Sequence, residues 1–182
     1  HIDADEGNHA LRPAFDLVCV NPMLTIGPAL GPGINVSNQI IVDLMAGTYP
    51  GLLALSWGIV DVRDVALAHL LAMETPDASG RYMCLSEVVT MRELVDVLRP
   101  LAKGRGKLPT RSLEAPVWTA MVKAVALTRP AGERSYLRTH LGRPLRVDTT
   151  RIRSGLGMSF RPVSAVLAAA FADLDARGQL PA

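Results

Sequence analysis

The feature that most constrains the fold is a short apolar run that ends in a loop rich in proline and glycine. Residues 16–20, DLVCV, have the composition of a buried strand, and residues 21–33, NPMLTIGPALGPG, hold three prolines and three glycines. Such a loop after a strand is typical of the edge where an α/β sheet meets its ligand, because ligands bind beyond the carboxyl ends of parallel strands. The alternative is a stiff surface connection without a binding role.

Strands and helices alternate along the rest of the chain. Further strand-like runs are GIVDV, residues 58–62, and SGRYMCLS, residues 79–86. The spacing of apolar residues predicts one helix after the loop, which Gly47 ends, a second over residues 63–75 and a last one over residues 163–176. Thr90 and Glu93 have the spacing of a capping box that opens a further helix. This alternation predicts an α/β fold.

The apolar positions also predict which helical faces reach the core. The last helix is expected to bury six side chains and the helix after Thr90 four: Val163, Val166, Leu167, Ala170, Phe171 and Leu174, and Met91, Leu94, Val95 and Leu98. Residues 63–75 are apolar nearly all round, which predicts a helix sandwiched between layers. We also expect a strand over 108–113 and a helix over 116–128, with Val117, Met121, Val122 and Val125 aligned on one face.

The composition favours a soluble protein. The apolar share of 49% is ample for a core. No run reaches the roughly 18 apolar residues of a membrane span, and no secretion leader is visible. Cys19 and Cys84 lie far apart within strand-like runs, so we interpret them as buried free thiols in a reducing compartment. These observations predict a cytoplasmic protein with no membrane contact.

The charge is unevenly distributed. Residues 99–161 carry fourteen Lys or Arg against three Asp or Glu, although the whole chain has a formal net charge of only +2. A basic segment can attract an anionic ligand or a nucleic acid. The alternative is a solvated basic face that the acidic remainder partly neutralises, and we expect no nucleic-acid partner.

Motif searches identify no complete active site. The four histidines lack metal-ligand spacing, and His69 is interpreted as a packed, hydrogen-bonded side chain. No G-x-S-x-G, G-x-x-x-x-G-K-[ST] or G-x-G-x-x-G pattern occurs in the sequence. We therefore predict no catalytic and no metal-binding residue in this chain.

Three segments, in order, carry a resemblance to a known family. They are LVCVNPMLTIGPALGPG (17–33), GIVDVRDVALAHLLAMETPDASGRYMC (58–84) and DTTRIRSGLGMSFRP (148–162). They resemble consecutive landmarks of the C-terminal half of the extended short-chain dehydrogenase/reductases, in the NAD-dependent epimerase/dehydratase superfamily. The subgroup that they resemble is the dihydroflavonol reductase and cinnamoyl-CoA reductase type.

The resemblance implies a partial Rossmann-type doubly wound sheet, made of the C-terminal strands, with a smaller α/β substrate-binding lobe. Residues 14–35 and 60–88 would belong to the dinucleotide-binding domain. Residues 36–59 and 89–182 would form the substrate-binding lobe, and residues 1–13 an irregular leader.

The resemblance also implies a cofactor, NADP or NAD, and residues that contact it. Pro22, Met23 and Leu24 match positions that line the nicotinamide and its carboxamide. Ser37 matches a hydroxyl that approaches the phosphates, at the start of a helix whose amide groups favour an anion. Its alternative reading is an ordinary helix cap.

Two parts of the family's machinery are absent from the sequence: the Gly-rich turn and Tyr-x-x-x-Lys. Tyr49, Tyr82 and Tyr136 are followed four residues later by Leu, Ser and His. One hypothesis is a fragment of an NAD(P)-dependent oxidoreductase that reduces a ketone, aldehyde or acyl thioester. Its partners would be the small carbonyl substrate, and the missing N-terminal half or a second copy that covers the sheet edge. The alternatives are a catalytically inactive ligand- or partner-binding protein of the same ancestry, and a basic nucleic-acid module.

Overall fold

The computed structural model describes residues 17–125 and 131–182, which contain seven strands and seven helices. The strands are β1 (Val18–Pro22), β2 (Leu24–Ile26), β3 (Leu52–Leu53), β4 (Ser56–Asp61), β5 (Gly80–Cys84), β6 (Glu87–Thr90) and β7 (Ser112–Leu113). The helices are α1 (Gln39–Ala46), α2 (Val62–Glu74), α3 (Met91–Ala102), α4 (Pro116–Val125), α5 (Ala131–His140), α6 (Thr150–Gly155) and α7 (Val163–Ala176). The expected leader, residues 1–13, lies outside the described residues.

The described strands form three small sheets. β1 pairs in parallel with β5, and β3 pairs in parallel with β7. In the third sheet β4 is central, parallel to β2 and antiparallel to β6. The mixed helices and parallel strands confirm the α/β fold class that the alternation predicted.

The chain changes sheets at Met23. β1 and β2 are separated by this one residue, yet they pair with different strands. The backbone amide of Met23 donates to the carbonyl of Cys84 at 3.4 Å, and its side chain packs against Gly58 of β4. A Cβ atom on Gly58 would lie 2.5 Å from Met23 Sδ, so the missing side chain leaves room for the crossing.

The larger core lies between α1, α3, α7 and the β4 sheet. All six α7 side chains and all four α3 side chains that the pattern predicted are buried. Thr90 and Glu93 form the predicted capping box, in which each side chain bonds to the other residue's backbone amide. Gly47 ends α1 in the left-handed conformation, as its place after Met45 and Ala46 predicts. Replacing a buried leucine of this core, such as Leu167, by alanine would lower the free energy of unfolding by about 2–5 kcal/mol.

A smaller core lies around β5. Tyr82 and Cys84 pack there with Ile152, Leu156 and Met158 from the closing segment of the chain. Arg161, at the end of that segment, pairs through its guanidinium with the buried carboxylate of Asp64 on α2. The backbone amide of Arg161 donates to the other oxygen of the same carboxylate at 2.8 Å. This pair fastens the closing segment to the start of α2.

The prediction for α2 was wrong about its surroundings. The helix begins as expected, with Asp61 accepting a bond from the amide of Arg63, but only Asp64 and Ala68 are buried. Leu70 and Met73 are 50% and 76% exposed, because the helix packs on β1, β2 and β4 with one side only. His69 is hydrogen-bonded to the Val65 carbonyl at 2.8 Å, but it is exposed rather than packed.

Two expectations for the region after Gly106 were also wrong. The strand expected over 108–113 is limited to Ser112 and Leu113. Of the four α4 side chains expected on one face, Val117, Met121 and Val125 are exposed, and Val122 packs against the core beside Trp118. The sequence pattern also failed to reveal β6, α5 and α6.

The β1–β5 sheet has an open side within residues 17–125 and 131–182. β1 bonds to β5 alone among the described strands, and the apolar side of α2 is exposed next to it.

No helix within residues 17–125 and 131–182 has the length and apolar character that crossing a membrane requires. Both cysteines are free thiols, with Cys84 buried and Cys19 half-buried.

The Asp64–Arg161 pair leads to a stability prediction. We expect Arg161→Gln to lower the free energy of unfolding by about 1–3 kcal/mol, because the Asp64 carboxylate would stay buried with only a backbone partner. Arg146→Gln is the control, since Arg146 is exposed and makes no ion pair among the described residues. Urea unfolding of both variants tests this, and equal stability of the two would contradict it.

Candidate functional site

The loop between β2 and α1 begins at a position that requires glycine. Gly27 has φ +148°, and a Cβ atom there would lie 2.8 Å from Val62 Cγ1. Left-handed backbone of this kind strains any residue with a side chain. The loop then passes through Pro28, Gly31, Pro32 and Gly33 before it enters the turn that opens α1.

Asn38, just before α1, holds the start of this loop. Its side chain is buried and forms two hydrogen bonds with Gly27. Asn38 Oδ1 accepts from the Gly27 amide at 3.2 Å, and Asn38 Nδ2 donates to the Gly27 carbonyl at 2.8 Å. One amide side chain therefore satisfies both backbone groups of the glycine and closes the loop at its base.

The C-terminal end of α7 holds the other side of the loop. Asp173 accepts a hydrogen bond from the Ala29 amide at 3.1 Å, and Arg177 donates to the carbonyl of Gly31 at 2.6 Å and to that of Ala29. Gln179 Nε2 donates to the Pro32 carbonyl at 2.9 Å. We call Asp173, Arg177 and Gln179 the α7 clamp.

Charge strengthens this clamp. Arg177 Nε lies 3.0 Å from Asp173 Oδ1, one helical turn away. The Ala29 amide and the Arg177 guanidinium hold the pKa of Asp173 below its ordinary value. Asp173 is therefore ionised at neutral pH, and the hydrogen bond that it accepts from the Ala29 amide is charge-assisted.

The four predicted cofactor residues are distributed along this path. Pro22 is exposed at the carboxyl end of β1, and Met23 and Leu24 are half-buried at the change of sheets. Ser37 is half-buried in the turn before α1, and its hydroxyl makes no hydrogen bond with the described residues. Leu24 contributes to the pocket described below, while Pro22, Met23 and Ser37 do not line it among the described residues.

The first amide groups of α1 are already used. The Asn38 amide donates to Asn35 Oδ1 at 2.6 Å, and the amides of Gln39, Ile40 and Ile41 donate to carbonyls of the preceding turn. They are therefore not available as the anion-binding amides that the sequence suggested. Any role of this turn in holding an anion falls to the Ser37 hydroxyl, and that role stays a prediction.

A pocket of about 510 Å³ opens beside Leu24. Its described lining combines an apolar wall with a few polar groups: Leu24, Val36, Gln39, Ile40, Asp43, Thr48, Tyr49, Leu55, Trp57, Tyr136 and Leu137. The volume lies in the range of pockets that hold small organic ligands. The pocket lies between β2, α1, β4 and α5. It therefore borders the strand that precedes the clamped loop and the helix α5, which follows β7 in the chain.

Aromatic side chains order the far wall of this pocket. Trp57 Nε1 donates to the Tyr136 hydroxyl at 2.8 Å, which fixes α5 against β4. Burial, helped by the nearby Asp43 and Tyr136, raises the pKa of Tyr49 to about 12, and burial also raises the pKa of Tyr136. Both phenols therefore keep their protons at neutral pH and act as hydrogen-bonding groups. No sequence pattern indicates this aromatic wall, because its residues are widely spaced along the chain.

We expect the α7 clamp to control the motion of the loop. Arg177→Ala removes two charge-assisted hydrogen bonds to the loop and the ion pair with Asp173, so the Ala29 amide, which donates to Asp173, should exchange with solvent about tenfold faster or more. Arg99→Ala, a change of the same size, is the control, because the Arg99 guanidinium donates to the Pro109 carbonyl and to no residue of the loop. Hydrogen exchange read by NMR measures this, and identical loop exchange in the two variants would contradict the clamp.

Sequence comparison relates the chain to plant reductases. It is 31% identical over 172 residues to cinnamoyl-CoA reductase 1 of Petunia hybrida, an alignment that covers 94% of this chain and 44% of that protein. The chain thus spans less than half the length of this curated relative. No protein-family model matches the sequence.

Solved structures of reductases share the fold. Vestitone reductase from alfalfa (Medicago sativa) superposes with a TM-score of 0.62 at 19% identity, over 91% of this chain and 46% of that chain. The yeast methylglyoxal/isovaleraldehyde reductase complexed with NADPH gives a TM-score of 0.60 at 23% identity, over 91% of this chain and 45% of that chain. By sequence and by fold, the chain corresponds to the C-terminal region of the extended short-chain dehydrogenase/reductases, of the dihydroflavonol reductase and cinnamoyl-CoA reductase type.

Proposed function

We propose that this chain is the substrate-binding part of an NAD(P)-dependent oxidoreductase that reduces a carbonyl group by hydride transfer. The observation that carries the proposal is the pocket beside Leu24, in a chain homologous to cinnamoyl-CoA reductases along 94% of its length. The substrate is a small ketone, aldehyde or acyl thioester. The Gly-rich turn and the catalytic tyrosine and lysine belong to a further part of the enzyme.

The residues at the end of β1 fit a nicotinamide ring. Pro22 is exposed, and Met23 and Leu24 present half-buried apolar side chains at the carboxyl end of a parallel strand pair. Bound NAD(P)H supplies the hydride. In this proposal Pro22, Met23 and Leu24 form one wall for the ring, and the Ser37 hydroxyl donates to a cofactor phosphate. The NADPH complex of the similar yeast reductase supports NADP as the cofactor.

The pocket itself binds and orients the substrate. Trp57 and Tyr136 give it an aromatic wall, and Tyr49 keeps a protonated hydroxyl that can donate a hydrogen bond. The α7 clamp keeps the loop, and with it the Leu24 side of the pocket, in one position. A low-dielectric pocket that excludes water also strengthens the polar contacts to a carbonyl oxygen.

The same proposal divides the chain into two functional regions. Residues 14–35 and 60–88 belong to the dinucleotide-binding domain, which the parallel β1–β5 pair supports. Residues 36–59 and 89–182 form the substrate-binding lobe, which the larger core of α1, α3 and α7 supports. We place the enzyme in the cytoplasm because Cys19 and Cys84 of this chain are free thiols.

The activity test compares the 182-residue chain with the longer protein that the proposal requires. The coding sequence upstream of His1 should specify a Gly-rich turn and Tyr-x-x-x-Lys. The longer protein should then oxidise NADPH in the presence of an aldehyde or ketone, while the chain alone should not. Leu24→Trp should raise the KM for the carbonyl substrate in the longer protein, because the larger side chain takes up space in the pocket.

A different outcome would favour the inactive alternative. The absence of the Gly-rich turn and of Tyr-x-x-x-Lys from this sequence is the observation in its favour. A longer protein without those motifs, or with them and yet no hydride transfer to any carbonyl tested, would identify a ligand-binding protein of the same ancestry.

We further propose that the missing N-terminal half, or a second copy of the chain, covers β1 and α2. β1 has one unpaired side among the described strands, and Leu67, Leu70 and Met73 expose apolar surface beside it. An open strand edge next to an apolar helix face favours association with another chain. The 182-residue chain by itself should therefore self-associate.

This association can be tested by sedimentation of the isolated chain. Leu70→Lys/Met73→Lys should reduce self-association, because it adds charge to the uncovered side of α2. Val117→Lys/Met121→Lys is the matched control, since it adds the same charge to exposed apolar positions of α4. A monomeric parent chain with a two-state unfolding transition would contradict the proposal.

A further inference from the structure

Helix α5 has two faces of opposite character. Tyr136 and Leu137 line the substrate pocket, and the bond from Trp57 to the Tyr136 hydroxyl fixes that side. His140 stacks on Tyr136 with ring centroids 4.4 Å apart. At 100° per residue, Arg134, Ser135, Arg138 and Thr139 fall on the opposite side of the helix. The packed face therefore holds the basic face in a defined orientation.

The basic face lines a second pocket, of about 380 Å³. Its described lining is Arg134, Ser135, Arg138, Thr139 and Arg143, the last from the turn after α5. We call these five residues the arginine pocket. It offers three guanidinium groups and two hydroxyls, and the described lining contains no carboxylate.

The three arginines lack partners within residues 17–125 and 131–182. None of their guanidinium groups forms an ion pair or a hydrogen bond there. Other arginines of the basic segment are engaged: Arg105 pairs with Asp175 at 2.8 Å, and Arg151 and Arg153 donate to backbone carbonyls. The arginine pocket is thus distinct from the structural arginines around it.

Helix electrostatics do not account for this arrangement. A cation in the last turn of a helix is favourable, which explains Arg138, but Arg134 lies near the positive N-terminal end of α5. Arg143 lies outside the helix and brings a third positive charge to the same pocket. Like charges that converge on one pocket repel each other unless an anion lies between them.

We propose that the arginine pocket is a binding site for the phosphate or diphosphate group of an organic ligand. Guanidinium groups match phosphate oxygens in pairs, and the two hydroxyls can donate to the remaining oxygens. The proposal does not depend on the reductase activity, because it rests on residues outside the pocket beside Leu24.

An adjoining pocket provides room for the rest of the ligand. Arg143 also lines a pocket of about 480 Å³ between α4 and the β3–β4 connection. The described walls there combine apolar groups of Ala54, Leu55 and Pro116 with two charged side chains, Glu114 and Lys123. Arg143 is the link between the two pockets, so a ligand with a phosphate at one end can occupy both.

The test measures binding of pyrophosphate and of ADP to the 182-residue chain by calorimetry, at about 0.15 M salt, where distant charges are screened. Arg134→Gln/Arg138→Gln should weaken pyrophosphate binding at least about tenfold, because each charged hydrogen bond is worth that much. Arg81→Gln/Arg146→Gln is the matched control, since it removes two exposed arginines outside the arginine pocket and should change the affinity less than about threefold. Unchanged thermal unfolding of both variants verifies that the fold is intact.

The outcomes separate the sources of the phosphate. Tighter binding of ADP than of pyrophosphate indicates an organic phosphate that uses both pockets, and Arg143→Gln should then weaken both ligands. Equal or weaker binding of ADP restricts the site to a free diphosphate and overturns the organic-ligand part of the proposal. Equal loss in the two double variants, or no pyrophosphate binding by the parent chain, overturns the site itself.

Discussion

The α7 clamp and Asn38 together hold the loop on which the candidate site depends. Asn38 satisfies both backbone groups of Gly27, and Asp173 and Arg177 hold the loop from a helix that begins more than 120 residues later in the chain. Pro28 and Pro32 have no backbone amide to donate, so the loop has few groups with which to bond to itself. Its conformation therefore comes from the side chains around it. Through β2 and α1, that conformation positions Leu24 and Ile40 in the pocket.

The open side of the β1–β5 sheet shows how strongly context determines burial. α2 has the sequence of a helix enclosed on all sides, yet its Leu70 and Met73 meet solvent in the structure. α7, which is also apolar, buries all six of its predicted residues because α3 and β4 pack against it. The difference lies in the layers available to each helix. The apolar composition of a helix predicts that its side chains will be buried, but it does not identify which element packs against them.

The sequence predicted the locally determined parts of the fold well. The capping box of Thr90 and Glu93, the end of α1 at Gly47 and the buried face of α7 each depend on residues within a few positions of one another. The clamp could not be predicted in this way. The sequence pattern predicts that Asp173 and Arg177 face solvent at the end of an amphipathic helix. The tertiary fold brings them to the loop. The aromatic wall of Trp57 and Tyr136 was missed for the same reason, since 79 residues separate the two.

The basic segment illustrates the limit of arguments from net charge. Its excess of arginine and lysine suggested one basic surface, but in the structure its basic side chains make different kinds of interaction. Arg151 and Arg153 hold backbone carbonyls and lie over Tyr82 and Phe160, and Arg161 fastens the closing segment to Asp64. These arginines contribute to the fold, and their charge is already used. Arg134, Arg138 and Arg143 differ from these in that they line one pocket together and have no described carboxylate partner, so an anion bound there would contact several positive charges at once. The total charge of a segment therefore says less about its ligands than the number of its cations that the fold leaves without partners.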